Sequence, residues 1–344
     1  MTKIVVGIFV DRFCPEIGGP YFIIKETLRA LKNIIKVKLF FYDEGKFKKE
    51  INLKNILKKI DLCHFYGGWT YFHIKTIYTA LKLKKKIIIH PLGYYEPWSL
   101  KQKKIKKKLA WYFYQKKILL KSDLIHCASK NEESNLLKLD NNFKTAVLPY
   151  GIQNSFIKKN NYKKEIKKKA IFFSRIHPKK GVENLIKAWN ATNNKNWTLD
   201  IMGPYDNEKY LHRLKKLAFN NKNIFFLKPI YNDNKKKILF DKYDFLILPT
   251  YNENFGMVIL EALARGLPVL TNYNAPWRDI KIFNAGWFIG ENYEDLLSCL
   301  KKIFKTNIKT FRKKSFNAIT VAKNYSWNRL AKDYVNIYKK VLIK

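Results

Sequence analysis

The sequence has few cysteines and no long apolar run, and these shortages exclude several classes of protein. Only four cysteines occur in 344 residues, and Cys14, Cys63, Cys127 and Cys299 have neither metal-ligand nor redox spacing. We therefore expect free thiols in a reducing cytoplasm. No apolar run approaches the roughly 18–20 residues that cross a bilayer. Residues 1–10 are too short and too β-branched for a signal peptide and are predicted to contain a buried strand.

Arginine is scarce although the chain is strongly basic. The formal net charge is +41, yet only 8 of the 68 basic residues are arginines, and the charge extends along the whole chain. A selected nucleic-acid site usually concentrates its charge on one face. Compositional drift towards lysine, asparagine and isoleucine explains the charge better, so we expect no nucleic-acid partner. Attraction of this basic protein to an anionic membrane surface stays an alternative.

Apolar runs alternate with helical stretches through both halves of the chain, and 47% of the residues are hydrophobic. This alternation predicts mostly parallel sheets covered by helices on both faces. The predicted strands of the first half are residues 3–10, 36–42, 61–65, 86–90, 123–128 and 144–148. Those of the second half are residues 170–174, 197–202, 223–227, 244–248, 268–270 and 286–288.

The predicted fold class is α/β, with two Rossmann-like domains facing a cleft. The first domain covers residues 1–151, and a polar, lysine-rich linker covers residues 152–169. The second domain covers residues 170–325. Residues 326–344 contain an amphipathic helix that can pack back on the first domain.

Residues 252–269 follow a buried strand and organise the second domain. Gly256 lies where the loop becomes a helix, predicted over residues 257–264. A strand, a glycine-containing turn and a helix N-terminus form the usual phosphate-facing corner of an α/β sheet. Glu253 in the loop and Glu261 in the helix would suit hydroxyl-rich groups attached to a phosphate, because a carboxylate accepts several hydrogen bonds.

Two cations follow the first strand of the second domain. Arg175 and Lys180 are five residues apart, and Gly181 then precedes a helix. A guanidinium fork and an ammonium can converge on one anion, such as a diphosphate that leaves during group transfer. Solvated loop cations are the alternative, which we adopt for Lys179. For Arg175, one of few arginines and placed at a strand end, we favour a function.

The first domain offers weaker candidates. Gly18 and Gly19 lie between the first strand and the first helix, where they permit close approach of a ligand to a helix N-terminus, although any tight turn could use them. His90 ends a predicted strand, and ligands bind at such ends in open α/β sheets. A structural role is the alternative for His90. No histidine pair has metal-ligand spacing.

Residues 100–121 predict a basic helix with interleaved aromatic residues, Trp111 to Tyr114. This helix could lie on an anionic bilayer with its lysines towards the headgroups. It could equally bury an apolar stripe in the core and expose a solvated lysine face. The sequence leaves both interpretations open.

The order and spacing of three motifs resemble those of the retaining glycosyltransferases of family 4, which have the two-Rossmann GT-B fold. The resemblance covers nearly the whole chain. The matching residues are Glu253 and Glu261 in a Glu-x7-Glu motif, Arg175 and Lys180 in an Arg-x4-Lys-Gly motif, and Gly18 and Gly19 in an N-terminal Gly-Gly loop. Residues 90–100 are similar to a subgroup found in bacterial lipopolysaccharide and exopolysaccharide gene sets. Ser174, Asn254 and Pro20 depart from the common family pattern.

The resemblance implies a role for each matched residue. Arg175 and Lys180 would hold the nucleotide diphosphate, and Glu261 would bind the ribose hydroxyls. Glu253 would contact the donor sugar, and His90 would lie near the reacting centre. The other implied donor-binding positions, near the sugar, the base and the phosphate, are Asn254, Phe255, Gly256, Pro229, Ile230, Gly18 and Gly19.

The implied activity is transfer of a sugar, with retention, from a nucleotide-sugar donor to a saccharide or lipid-linked acceptor in lipopolysaccharide, capsule or exopolysaccharide biosynthesis. The family needs no metal or other cofactor, which fits the lack of an Asp-x-Asp pair here. We expect a cytoplasmic protein, peripheral on the inner face of the plasma membrane. The alternatives are a soluble GT-B synthase or phosphorylase that acts on a small acceptor, and a basic nucleic-acid-binding protein. Carboxylates at positions 253 and 261 would repel a nucleic-acid backbone.

Overall fold

The computed structural model describes residues 4–41, 52–67, 70–102, 104–159 and 165–343. The chain divides into two compact units. The first unit combines Met1–Gly151 with Trp327–Lys344, and the second unit is Ile152–Ser326.

A parallel six-stranded sheet forms the centre of the first unit. Its strands are β1 Val5–Val10, β2 Lys36–Phe41, β3 Leu62–Tyr66, β4 Lys86–His90, β5 Leu124–Cys127 and β6 Thr145–Val147. Its helices, apart from the last of the chain, are α1 Gly19–Leu31, α2 Leu53–Lys58, α3 Tyr71–Lys82, α4 Pro97–Lys101, α5 Lys104–Ala110, α6 Lys116–Lys121 and α7 Lys130–Leu137. The strand order is β2-β1-β3-β4-β5-β6. The order reverses at β1, so the loop that carries Gly18 and Gly19 follows the strand at the topological switch point.

The second unit repeats this plan with another six parallel strands. Its strands are β7 Lys169–Phe173, β8 Thr198–Met202, β9 Ile224–Leu227, β10 Phe245–Leu248, β11 Val269–Asn272 and β12 Gly286–Ile289. Its helices are α8 Val182–Ala191, α9 Glu208–Ala218, α10 Asp233–Phe240, α11 Met257–Ala264, α12 Asp279–Ile282, α13 Tyr293–Phe304 and α14 Ile308–Asn324. The strand order is β12-β11-β10-β7-β8-β9, so its switch point lies between β7 and β10.

Asparagine side chains start many of these helices, and this gives the asparagine-rich composition a structural use. The amide oxygen of such a residue accepts a hydrogen bond from a backbone N–H of the first turn, which otherwise has no partner. The helices with this cap are α2, α9, α10, α13 and α14, whose capping residues are Asn52, Asn207, Asn232, Asn292 and Asn307.

The last helix, α15 (Trp327–Ile343), belongs to the first unit, where it packs against α1. Tyr334 and Tyr338 are fully buried on its inner face. The predicted α/β fold class and the predicted return of the C-terminal helix to the first domain are therefore confirmed. Among the helices of the described residues, none is both long enough and apolar enough to cross a membrane.

Two stretches differ from the sequence prediction. Ile152 and Phe156, inside the predicted linker of residues 152–169, are buried as part of the second unit. The polar residues 153–155 between them and the lysines that follow conceal them in the sequence pattern. The predicted helix over residues 100–121 is interrupted, because Gln102 is extended (φ −80°, ψ 130°) and a π-helical turn covers Trp111–Gln115.

Candidate active site

The switch point of the second unit joins two loops, one after β7 and one after β10. The 3-10 turn Pro178–Lys180 ends the first loop, and residues 249–252 begin the second. The carbonyl oxygen of Lys179 accepts hydrogen bonds from the backbone N–H of Tyr251 (2.8 Å) and from the hydroxyl of Thr250 (3.1 Å). These bonds fix the two loops against each other at the edge of the sheet where ligands bind in this type of fold.

Gly181 makes this close contact of the loops possible. It has a left-handed backbone conformation (φ +72°), and a Cβ atom there would lie 2.0 Å from the carbonyl oxygen of Pro249. A real Cβ cannot come so close, and φ > 0 also disfavours any side chain. The glycine that follows Lys180 is therefore required by the backbone, and it starts α8 as its N-cap.

The two loops bring Lys180 and Glu253 into an ion pair. The ammonium of Lys180 lies 2.5 Å from Oε2 of Glu253, and each side chain is only 14% exposed. Partial burial reduces the screening of this pair by water. Residues 73 positions apart in the chain thus form one compact polar group beside the switch point.

Glu261 forms a second ion pair with a residue that the sequence did not reveal. Lys236, on α10, is 3% exposed, and its ammonium lies 2.6 Å from Oε1 of Glu261 on α11. The same ammonium is 3.9 Å from Oδ1 of Asp233. Both glutamates of the Glu-x7-Glu motif are therefore paired with lysines from other elements.

The N-terminus of α11 lies between the two glutamates. Gly256 is its N-cap, in the left-handed conformation (φ +82°), and a Cβ there would lie 3.0 Å from Cγ of Glu253. Phe255 is buried, and its carbonyl oxygen accepts a hydrogen bond from the indole N–H of Trp277. Asn254 lies beside them, half-buried. This packing fixes the backbone where amides are predicted to face a donor.

Arg175 does not join Lys180. Its side chain is about half exposed, and Nη1 lies 3.3 Å from Oδ2 of the exposed Asp206. The structure thus gives the two predicted cations separate carboxylate partners. Pro229 and Ile230, predicted to border the base, are half-buried in the connection between β9 and α10.

In the first unit, Gly18 and Gly19 start α1 with open space around them. Gly18 has φ +72°, and a Cβ at either glycine would meet no atom within 4 Å. The structure therefore leaves space near this helix N-terminus, and the binding of a ligand there stays a prediction.

His90 is fully buried at the end of β4, where both ring nitrogens have partners within the first unit. Nδ1 lies 2.7 Å from the carbonyl oxygen of His126, and Nε2 contacts the hydroxyl of Tyr150. The two imidazole rings are stacked with their centroids 4.1 Å apart. Contact of His90 with a sugar would therefore require the exchange of one of these hydrogen bonds.

The same network reaches the C-terminal helix through His64 and His126. His126 Nε2 lies 2.7 Å from the carbonyl oxygen of Leu148, so this nitrogen donates and Nδ1 must accept. The donor to Nδ1 is then Nε2 of His64, at 3.2 Å, and His64 Nδ1 accepts from the hydroxyl of Tyr338, at 3.0 Å. Each histidine in this chain of bonds is neutral.

Burial keeps these histidines neutral. Desolvation lowers the pKa of His126 from 6.5 to about 4 and lowers the pKa values of His64 and His90 well below 6.5. The mutual repulsion that would arise between charged rings acts in the same direction for His64 and His90. The cluster joins β3, β4 and β5 to α15.

Parts of this chain are similar to known glycosyltransferases. Residues 153–317 match the family described as Glycosyl transferases group 1. The chain is 30% identical over 204 residues to an uncharacterized glycosyltransferase of Methanocaldococcus jannaschii. That match covers 55% of this chain and 50% of the relative, so the chain spans about half the relative's length.

Solved structures share the fold over almost the full chain. Sucrose-phosphate synthase from Thermosynechococcus elongatus superposes with a TM-score of 0.79 at 15% identity, covering 99% of this chain and 100% of that one. Anabaena HepE in complex with UDP-glucose gives 0.74 at 15% identity, covering 97% and 99%. WaaG, a glycosyltransferase involved in lipopolysaccharide biosynthesis, gives 0.69 at 17% identity, covering 97% and 99%. Residues 153–317 thus match the Glycosyl transferases group 1 family, and the chain as a whole shares the GT-B fold of these solved structures.

Proposed function

We propose that this protein is a retaining glycosyltransferase that moves a sugar from a nucleotide-sugar donor to a saccharide or lipid-linked acceptor in lipopolysaccharide, capsule or exopolysaccharide biosynthesis. The observation that carries the proposal is the placement of two lysine–glutamate pairs at the switch point of the second unit. Cations suit the diphosphate, and carboxylates suit the hydroxyls on either side of it.

Lys180 is the residue that we assign to the leaving diphosphate. Its ammonium is held at 2.5 Å by Glu253 in a site where each side chain is 14% exposed. A diphosphate oxygen would offer the ammonium a second anionic partner. Interactions that strengthen as negative charge develops on the leaving group lower the barrier, and they are stronger where water is excluded.

The proposed reaction transfers one sugar and one proton. The bond between the anomeric carbon and the diphosphate oxygen breaks, and the electron pair leaves with the diphosphate. The acceptor hydroxyl attacks the same face of the sugar and forms the new glycosidic bond, with retention of configuration. Its proton passes to the departing diphosphate oxygen. Glu253 holds the sugar by its hydroxyls, Glu261 holds the ribose, and Arg175 reaches the diphosphate after release from Asp206. His90 stays a predicted contact near the reacting centre.

Metal independence is part of the proposal, because Arg175 and Lys180 supply the counter-charge. Transfer is expected to persist at an unchanged rate in excess EDTA. A requirement for added Mg²⁺ or Mn²⁺ would contradict this assignment of the cations.

A surface of the first unit supports a membrane-bound acceptor. Helix α5 has no buried residue, and Ile105 (77% exposed), Leu109 (52%), Tyr112 (78%) and Phe113 (66%) project from α5 and the following turn. Spacings of four and three residues place Ile105, Leu109 and Tyr112 along one side of a helix, and Phe113 lies next to Tyr112. Exposed lysines of the same segment complement an anionic headgroup layer.

Vesicle co-sedimentation tests this surface. The double variant Tyr112→Ser/Phe113→Ser is expected to bind anionic vesicles at least several-fold more weakly than the wild type. Phe219→Ser, which removes an aromatic ring that is 84% exposed in the second unit, is the matched control. Equal binding by the double variant and the control would overturn the membrane proposal.

The alternative is a soluble synthase that uses a small acceptor, and the superposition on sucrose-phosphate synthase favours it. Radiolabelled donor separates the two functions. Label in the lipid-extractable fraction supports the leading proposal. Label in a small soluble product, formed with a sugar phosphate as the acceptor, supports the alternative.

The experiment that tests donor use is a thermal-shift panel of UDP-, GDP- and ADP-linked sugars. A ligand at a hundredfold excess over its Kd stabilises the folded state by about 2.7 kcal/mol. We expect one nucleotide class to raise the melting temperature clearly above the others. No shift with any of them would refute the proposed function.

A further inference from the structure

Lys236 is a buried cation in a chain whose lysines mostly face solvent. It lies in the middle of α10 with 3% of its surface exposed. Removing an ammonium from water costs several kcal/mol unless an anion and good hydrogen-bond geometry compensate. Glu261 supplies that anion at 2.6 Å, and Asp233 lies at 3.9 Å. Because a buried ion pair is weak evidence for stability, a role in the site explains its presence better.

The position of Lys236 connects two parts of the proposed donor site. Helix α10 follows directly on Pro229 and Ile230, assigned to the base, and Asn232 caps it. Helix α11 carries Glu261, assigned to the ribose. The ammonium of Lys236 thus links α10, the helix next to the predicted base-binding residues, to the Glu261 carboxylate on α11 that is assigned to the ribose.

We propose that Lys236 is a positioning residue that orients Glu261 for the ribose hydroxyls of the donor nucleotide. This inference rests on the proposed function and extends it to a residue outside the three motifs. The ammonium donates to Oε1 and fixes the carboxylate in one orientation. A carboxylate has about four acceptor sites, so a bond from Lys236 is compatible with bonds from hydroxyls.

The consequence is specific to the ribose. Without the ammonium, Glu261 loses the charged hydrogen bond to Oε1, and the ribose hydroxyls meet a carboxylate that is less firmly held. Contacts of the nucleotide with the base-binding loop and with Lys180 stay as they were. Loss of Lys236 should therefore remove the preference for a nucleotide that has hydroxyls over one that lacks them.

Calorimetric titration with UDP, GDP and ADP, and then with the 2′,3′-dideoxy form of whichever binds, tests this. Wild type is expected to prefer the ribonucleotide by about tenfold or more, which corresponds to about 1.4 kcal/mol. In Lys236→Met the ratio is expected to fall to about twofold or less, with the dideoxy affinity unchanged within error. A change in a merely structural residue would weaken both ligands equally.

Two further variants serve as controls. Lys235→Met removes the same charge from an exposed neighbour on α10 and should keep the wild-type ratio. If Lys236→Met fails to fold, Lys236→Gln replaces it, because its neutral amide keeps a polar group in the buried position. Its side chain is shorter and carries no charge, so the ratio should still fall at least threefold.

The outcomes separate this inference from the proposed function. Wild type that binds no nucleoside diphosphate refutes both. Wild type that binds without preferring the ribonucleotide overturns the role of Glu261 and Lys236 only. An unchanged ratio in Lys236→Met, or in Lys236→Gln if that variant is needed, overturns the positioning role alone.

Discussion

The two units have the same type of sheet but differ in the chemistry at their strand ends. In the first unit the polar side chains at β3, β4 and β5 are neutral histidines, fully buried and bonded to carbonyls and tyrosines. In the second unit the loops and helices after β7, β9 and β10 supply charged lysine–glutamate pairs. One sheet edge uses its polar groups to hold a helix, and the other keeps charges where a phosphate and hydroxyls could bind.

This difference shows why a strand-end position alone does not identify a catalytic residue. His90 ends β4 and Glu253 follows β10, so both lie at the sheet edge where ligands bind in this type of fold. Glu253 faces the charged Lys180, whereas His90 stacks on His126 inside the unit. Solvent access and the charge of the partner distinguish the two residues, and neither property is visible in the local sequence.

The largest expected effect comes from breaking the Lys180–Glu253 ion pair of the second unit. Lys180→Ala and Glu253→Ala should each lower the rate of sugar transfer by about a hundred- to a thousandfold, the loss typical for one electrostatic contact to a reacting group. Steady-state transfer assays check this, with circular dichroism to show that the variants fold. Turnover near that of the wild type in either folded variant would refute the site.

A second substitution changes the backbone that supports the Lys180–Glu253 pair. Gly181→Ala introduces a Cβ at 2.0 Å from a carbonyl oxygen and at φ +72°. The left-handed conformation alone costs about 1–2 kcal/mol, and the displaced loop should add to this and weaken nucleotide binding. Differential scanning calorimetry should show a clearly lower melting temperature.

Gly19→Ala in the first unit is the matched control for that substitution. A Cβ there meets no atom within 4 Å, so stability should change little. Equal melting temperatures for Gly181→Ala and Gly19→Ala would contradict the close approach of the two loops.

The stability of the neutral histidine network in the first unit should depend on pH. His126 has a pKa of about 4 in the folded protein against about 6.5 unfolded, so only the unfolded chain gains the proton between these values. Its contribution to stability is complete above about pH 6.5 and is lost as the pH falls towards 4. Protonation would also place a second N–H of His126 against His64.

Hydrogen–deuterium exchange locates this effect. At about pH 5, α15 should exchange faster than at about pH 7.5 after correction for the intrinsic rate, whereas α11 should keep its protection. Equal protection of α15 at both pH values would show that the network does not hold the helix.

The smallest expected effect comes from one hydroxyl. Tyr338→Phe removes the bond to His64 at 3.0 Å and leaves a buried nitrogen without its donor, which should cost about 1–2 kcal/mol in the free energy of unfolding. Tyr334→Phe removes only a longer contact, 3.4 Å from the carbonyl oxygen of Pro149, and should cost less. Urea denaturation of both variants makes the comparison, and a reversed order would contradict it.

Much of the fold follows from local pattern. All twelve predicted strands occur, each within about three residues of its predicted ends, because apolar runs between glycine, proline and lysine clusters are distinct. The helix predicted over residues 257–264 coincides with α11. Gly256 and Gly266 bracket this helix, and such signals act over a few residues.

Pairing between distant residues could not be predicted in the same way. Lys236 is one of many lysines, and its partner Glu261 lies 25 residues further along the chain. The tyrosine that binds His90 is 60 residues away. Hydrophobic periodicity predicts which face of a helix is buried, but it does not predict which distant residue contacts that face.

The most direct test of the account is the affinity of the 344-residue chain for UDP, GDP and ADP, measured by calorimetry for wild type, Lys180→Ala and Lys179→Ala. If the charged edge of the second unit binds the diphosphate, wild type binds at least one of the three, Lys180→Ala binds it at least tenfold more weakly, and Lys179→Ala binds it as wild type does. Equal affinity of Lys180→Ala and wild type would contradict the account.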